Sequence, residues 1–94
     1  MVVFNVIYKC KPGKRDAFLK RIIEEGIDVA CRADRGNIRY DYFIPADGSD
    51  ELLLLEKWED SETLAEHVGQ PHIARLRAFK PEYVIDTESD RFEI

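Results

Sequence analysis

The chain has no basic cluster, no long apolar run and very little cysteine, and each shortage removes a class of function. Lys and Arg number 14 against 19 Asp and Glu, a formal net charge of −5. A phosphate backbone demands a concentrated cationic patch, so no nucleic-acid partner is expected. The densest positive group, Lys11, Lys14, Arg15, Lys20 and Arg21, is interleaved with Asp16, Glu24 and Glu25 and reads as a solvated helix face. The longest apolar run is Leu52–Leu55, far short of the roughly 20 residues of a membrane helix. No signal-peptide pattern opens the sequence, which points to a cytoplasmic protein with no membrane partner. Cys10 and Cys31 are too few for a disulfide framework and are expected to act as small core hydrophobes. No Gly-rich phosphate loop, nucleophile elbow or paired-cysteine motif occurs, which removes the common nucleotide, hydrolase and redox-disulfide readings.

What remains is a 94-residue chain with 45% hydrophobic and 35% charged residues, the composition of one globular domain spanning residues 1–94. A chain of this size buries only about 60–65% of its unfolded surface when it folds alone, so association would aid it.

Periodicity supplies the elements. From Val2 to Cys10, Val2, Phe4, Val6 and Tyr8 alternate with Val3, Asn5 and Ile7, giving a strand with two apolar faces and one polar intruder, Asn5. After Lys11-Pro12-Gly13, positions Phe18, Leu19, Ile22, Ile23, Ile27, Ala30 and Cys31 recur at helical spacing, an amphipathic helix of about five turns that Gly26 interrupts. Asp34-Arg35-Gly36-Asn37 is a stop and turn signal. A second strand follows, with Ile38, Tyr40, Tyr42 and Ile44 set against Arg39, Asp41 and Phe43. The loop Pro45–Asp50 leads to a third strand, where Leu52, Leu54, Glu56 and Trp58 share one face and Leu53, Leu55 and Lys57 the other. Asp60 or Ser61 caps a short helix with Leu64, Ala65 and Val68 inward, and Gly69-Gln70-Pro71 breaks it. A further helix carries Ile73, Leu76 and Phe79 inward as far as Lys80-Pro81. Val84, Ile85, Phe92 and Ile94 place a last strand in the charged tail.

The order strand, helix, strand, strand, helix, strand is that of a ferredoxin-like split β-α-β fold: a four-stranded antiparallel sheet with helices on one face. The other face is apolar and nothing in the chain covers it. A second copy joined by a two-fold axis, a homodimer closing into an α/β barrel, is the expected cover.

Lys11-Pro12-Gly13-Lys14, Gly36-Asn37-Ile38-Arg39-Tyr40, Glu56-Lys57-Trp58-Glu59-Asp60 and His67 with Pro71-His72 together resemble the antibiotic biosynthesis monooxygenase domain, in order and over nearly the whole chain. The resemblance implies a dimeric barrel with a pocket in each subunit between sheet and helices. It also implies oxidation of a quinol or hydroxylated aromatic by O2 without metal or flavin, the substrate supplying the electrons. Such chemistry needs a protein that orients the ring, stabilises its anion and excludes water.

Asn5 matches a polar first-strand position that members use to hold substrate or oxygen, and the alternative is an amide bonded to its own neighbours. Trp58 matches the pocket indole, or is core. Glu56, on the same face, is a candidate base if its apolar setting raises its proton affinity, or an ion-pair partner of Arg39, Arg75 or Arg77. His67 is the better imidazole candidate, and His72 either binds substrate or caps the next helix. Tyr40 and Tyr42 offer phenols or simple packing. The catalytic set is thus Asn5, His67 and Glu56, and the substrate-binding set Trp58, Tyr40 and His72.

No metal is expected on His67, His72 and Glu56, because the spacing of the two histidines is not that of a helical ligand pair and no cysteine joins them. Haem is not expected either: the haem-degrading relatives place an axial histidine in the last helix, and Ile73–Phe79 contains none. With no cofactor called, two other readings stand beside the oxidase. One is an acid/base isomerase of a small phosphorylated sugar-like metabolite of the autoinducer-processing type, with Arg39, Arg75 and Arg77 available to an anion. The other is a non-catalytic dimeric ligand-binding module.

Overall fold

The computed structural model describes residues 1–94. Its elements are β1 (Val2–Cys10), α1 (Arg15–Glu24), α2 (Ile27–Arg32), β2 (Asn37–Phe43), β3 (Glu51–Trp58), α3 (Ser61–Val68), α4 (Pro71–Phe79), a 3-10 turn (Lys80–Glu82) and β4 (Val84–Glu93). The strands form one antiparallel sheet in the order β2-β3-β1-β4. This is the α+β ferredoxin-like arrangement read from the alternation of strands and helices. No helix is long and apolar enough to cross a membrane.

Both helical segments are split, each for a local reason. The expected five-turn helix is two helices, because Gly26 sits at φ 69°, a left-handed conformation that no helix continues through. The turn redirects the chain so that α1 buries Phe18 and Ile22 while α2 buries Ile27 and Cys31. The second break lies between α3 and α4, where Pro71 opens a new helix in the first-turn position that needs no N–H.

Pairing sorts the side chains onto two faces, since residues opposite one another in an antiparallel pair point the same way. Glu56 pairs with Phe4 on one side and Tyr40 on the other, and Leu54 pairs with Val6 and Tyr42. These residues face the helices, with Phe18, Ile22, Ile27, Ile73, Leu76 and Phe79 closing the core from above. The opposite face carries Val3, Asn5, Ile7, Leu53, Leu55 and Phe43 and has no layer over it. An extra residue near Ile38 shifts the β2–β3 register, so Ile38 is exposed instead of sharing the inner face with Tyr40. On α3 the buried stripe is Thr63, Leu64 and His67, while Ala65 and Val68 turn outward, a correction to the inward set read from spacing.

Gly36 couples the start of β2 to the start of α3. Its φ is 80°, its carbonyl accepts from the Glu59 N–H at 2.9 Å, and a Cβ built there would lie 2.5 Å from the Thr63 side chain. Thr63 is itself fully buried and hydrogen-bonded to Asp60, so it cannot retreat. Gly36→Ala therefore combines backbone strain with overpacking and is expected to cost about 2–4 kcal/mol, read as a lower midpoint in urea denaturation. A change below about 0.5 kcal/mol would show that this approach is not tight.

Candidate functional site

The inner row of β3 sets the site. Leu52, Leu54, Glu56 and Trp58 are all buried, with Glu56 only 3% exposed. A carboxyl in that row is desolvated, and burial raises its pKa from 4.5 to about 7 against the opposing pull of the Trp58 indole, whose Nε1 donates to Glu56 Oε1 at 3.0 Å. Residues 56 and 58 meet because side chains two apart on a strand share a face.

His67 arrives from α3. Asp60 caps that helix by accepting the Thr63 N–H at 2.8 Å, and Thr63 and His67, four residues apart, lie on one helical stripe facing the sheet. The imidazole packs on the Trp58 indole with ring centres 4.5 Å apart, and its Nε2 lies 3.6 Å from Glu56 Oε1. Its other nitrogen, Nδ1, is 2.7 Å from Asp34 Oδ2, and the same oxygen is 2.8 Å from His72 Nε2. With Asp34 accepting, the His67 proton sits on Nδ1 and Nε2 is left as an acceptor toward Glu56. Burial lowers the pKa of His67, with Asp34 pulling the other way, so the ring is held neutral near pH 7.

A cavity of about 180 Å³ opens beside this pair, lined by Phe4, Val6, Tyr8, Tyr40, Leu64, Ile73 and Leu76 as well as Glu56 and His67. Val68, Arg77, Thr87 and Ser89 also line it and are exposed, which places its mouth between α4 and β4. Burial raises the Tyr40 phenol well above its usual range, so it is a neutral hydroxyl in the cavity wall.

Of the residues chosen from sequence, Glu56, His67 and Tyr40 line the cavity together. Trp58 stands behind them, fully buried, holding Glu56. His72 does not line the cavity and does not cap α4; it is tied to Asp34. Asn5 lies elsewhere: it pairs with Leu55 and Asp90 and so points to the uncovered face, with its Oδ1 buried and unpartnered. The grouping of Asn5 with His67 and Glu56 is therefore not made within one chain, because position 5 is out of phase with Phe4 and Val6. Glu56 also pairs with none of Arg39, Arg75 and Arg77; Arg39 is bonded to Asp41 on the outer face.

Asp34 was legible only as part of a turn, and Cys31 only as core. The fold brings both to the two histidines: one donor atom from each of Cys31, Asp34, His67 and His72 lies within 4.8 Å of every other. The expectation that no cysteine joins the histidines thus fails in space, since Cys31 lies far from them only along the chain.

Residues 1–78 match the sequence profile of the family described as antibiotic biosynthesis monooxygenase. No curated protein matches the chain. Among solved structures, Rv0793 from Mycobacterium tuberculosis is 28% identical, with a TM-score of 0.85 over 99% of this chain and 93% of its own. A candidate antibiotic biosynthesis monooxygenase from Nitrosomonas europaea is 20% identical, with a TM-score of 0.89 over 100% of this chain and 98% of its own. PA3566 from Pseudomonas aeruginosa is also 20% identical, at a TM-score of 0.86 over 99% and 92%.

Glu56 binds its proton more tightly when folded, at about 7 against 4.5. The folded state is therefore favoured while the carboxyl is protonated, and that contribution is lost as pH rises between those values. Glu56→Gln keeps an oxygen for the Trp58 indole and cannot ionise. Relative to the parent, in chelator-treated protein, it is expected to gain stability with rising pH, by about 3 kcal/mol at pH 8. Urea denaturation at pH 5 and pH 8 measures this, and an equal difference at both would contradict it.

Proposed function

The chain belongs to the antibiotic biosynthesis monooxygenase family, and from that premise we propose that it oxidises a single-ring hydroxylated aromatic or quinol with O2, as a homodimer and without a cofactor. The observation that carries this reading is a small, largely apolar cavity with a neutral, Asp-oriented imidazole and a raised carboxyl at its wall. Apolar cavities of about 150 Å³ take up benzene. The 180 Å³ here is of the size that suits one substituted ring.

His67 Nε2 takes the proton of the ring hydroxyl, and the Asp34 carboxylate offsets the charge that the imidazole gains. The phenolate is electron-rich and donates to O2 at a ring carbon, forming a ring-bound peroxide. The O–O bond then breaks: one oxygen stays on the ring as a carbonyl and the other leaves as water. The ring loses the hydrogen of that carbon and its hydroxyl hydrogen, so substrate plus O2 gives quinone plus water. Glu56, which ionises near neutrality, returns a proton to the departing oxygen, and the Tyr40 hydroxyl orients the substrate oxygen.

A second reading draws on the mouth of the cavity, where Arg77 and Lys80 stand without carboxylate partners. An anionic sugar-like substrate would be held there and isomerised by Glu56 and His67, with no oxygen consumed. A non-catalytic ligand-binding module would show neither reaction. The homodimer is supported by the bare outer face, where Val3, Ile7, Leu53 and Leu55 surround Asn5. An unpaired buried amide oxygen costs about 1–3 kcal/mol, and a second copy packed on this face would supply its donor.

Oxygen uptake by chelator-treated protein over a panel of mono- and dihydroxybenzenes tests the reaction. His67→Ala is expected to lower kcat by about 10²–10⁴-fold. Uptake at the parent rate in that variant, or no uptake from any phenol by folded protein, would sink the oxidase reading; in the latter case turnover of a phosphosugar would favour the isomerase. Light scattering is expected to give twice the 10.9 kDa chain mass, and Leu55→Lys to give the monomer. A monomeric parent protein would remove the dimer.

A further inference from the structure

We propose that Cys31, Asp34, His67 and His72 form a binding site for a borderline-soft divalent cation, zinc above all. The four side chains come from the end of α2, the turn after it, the end of α3 and the start of α4, and their donor atoms already lie within 4.8 Å of one another. Thiolate, carboxylate and two imidazoles are all zinc ligands, and together they make a closed tetrahedral set. Bonds of about 2.0–2.3 Å would place neighbouring donors roughly 3.3–3.7 Å apart. The Asp34 oxygen, at 2.7 and 2.8 Å from the two imidazole nitrogens, has to move out slightly, and every donor, Cys31 Sγ included, already lies within 4.8 Å of the others.

Charge argues in the same direction. Asp34 is nearly buried, and its only ion-pair partners are the two histidines. No Lys or Arg reaches it, so the two imidazoles alone hold its carboxyl group. A divalent ion bound by one carboxylate, one thiolate and two neutral imidazoles leaves no net charge. The Cys31 proton and the two imidazole protons that point at Asp34 make way for it: the thiol proton departs to solvent, and each imidazole keeps its proton on its other nitrogen.

The outer shell is also present. A metal-bound histidine ordinarily donates its remaining N–H to a carboxylate. With the ion on Nδ1, the His67 proton moves to Nε2, which faces Glu56 Oε1 at 3.6 Å, and Glu56 is in turn held by the Trp58 indole. Entry is from the edge where the Asp34 and His72 side chains keep 10% and 11% of their surface exposed. The site stands independently of the proposed reaction. If that reaction holds, the ion inhibits it, because it removes the unprotonated Nε2 on which proton transfer depends.

Chelator-treated protein titrated with Zn²⁺ by calorimetry, and with Co²⁺ by absorption spectroscopy, tests the proposal. One ion per chain is expected, with strong tetrahedral Co²⁺ bands and a thiolate-to-cobalt charge-transfer band. Cys31→Ser is expected to abolish the charge-transfer band, and both it and His72→Gln to weaken Zn²⁺ binding at least tenfold, while Cys10→Ser changes neither. Zn²⁺ is also expected to raise the melting temperature of the parent, and to raise that of His72→Gln by less at the same concentration. Absence of the charge-transfer band from the parent protein overturns the site without recourse to any variant. Zn²⁺ affinity unchanged in Cys31→Ser and His72→Gln overturns it equally.

Discussion

One oxygen of Asp34 holds the helical layer together. It accepts from His67 Nδ1 and His72 Nε2, and so ties the turn after α2 to the end of α3 and the start of α4. Hydrogen bonds to a charged acceptor are worth about 1.5–3 kcal/mol each, and leaving their buried partners unmade costs more. These helices are short, six to nine residues, and helices of that length are not stable by propensity alone. Their positions come from packing on the sheet and from this shared carboxylate. The same contact places the His67 proton on Nδ1 and turns Nε2 toward Glu56.

Glu56 is the matching constraint on the sheet side. A buried carboxyl is tolerated because it can stay protonated up to about pH 7 and because the Trp58 indole satisfies it when ionised. A hydrophobe at this position would pack at least as well, so the buried carboxyl is costly as structure. Phe4 and Tyr40 flank it on the neighbouring strands. The site is thus built from rigid elements: a strand below, a capped helix above, and a carboxylate behind.

The two faces of the sheet divide the labour. The inner face makes the cavity, and the outer face carries an apolar row and the unpartnered Asn5 oxygen. The strands were readable because alternation has a period of two and each strand's phase is visible in its own residues, as in Leu52, Leu54, Glu56 and Trp58. The same phase rule, applied to β1, separates Asn5 from Phe4 and Val6. Likeness to family positions had grouped Asn5 with the site, and the pairing of Asn5 with Leu55 places it on the other side. Gly26 was visible as an interruption, but whether a glycine bends a helix or ends it depends on its φ, which composition does not reveal.

The order of elements, the apolar rows, the presence of Glu56 and Trp58 on one strand face, and the family could be read from the residues alone, because each of these is carried by local spacing or by motifs in order. Which titratable groups meet was settled by the folding of the chain. His67 reaches Asp34 across 33 positions and His72 reaches it across 38, and Cys31 joins them from the end of another helix. Contacts of that range depend on where Gly26 and Pro71 break the helices and on how the sheet pairs, and no local periodicity records them.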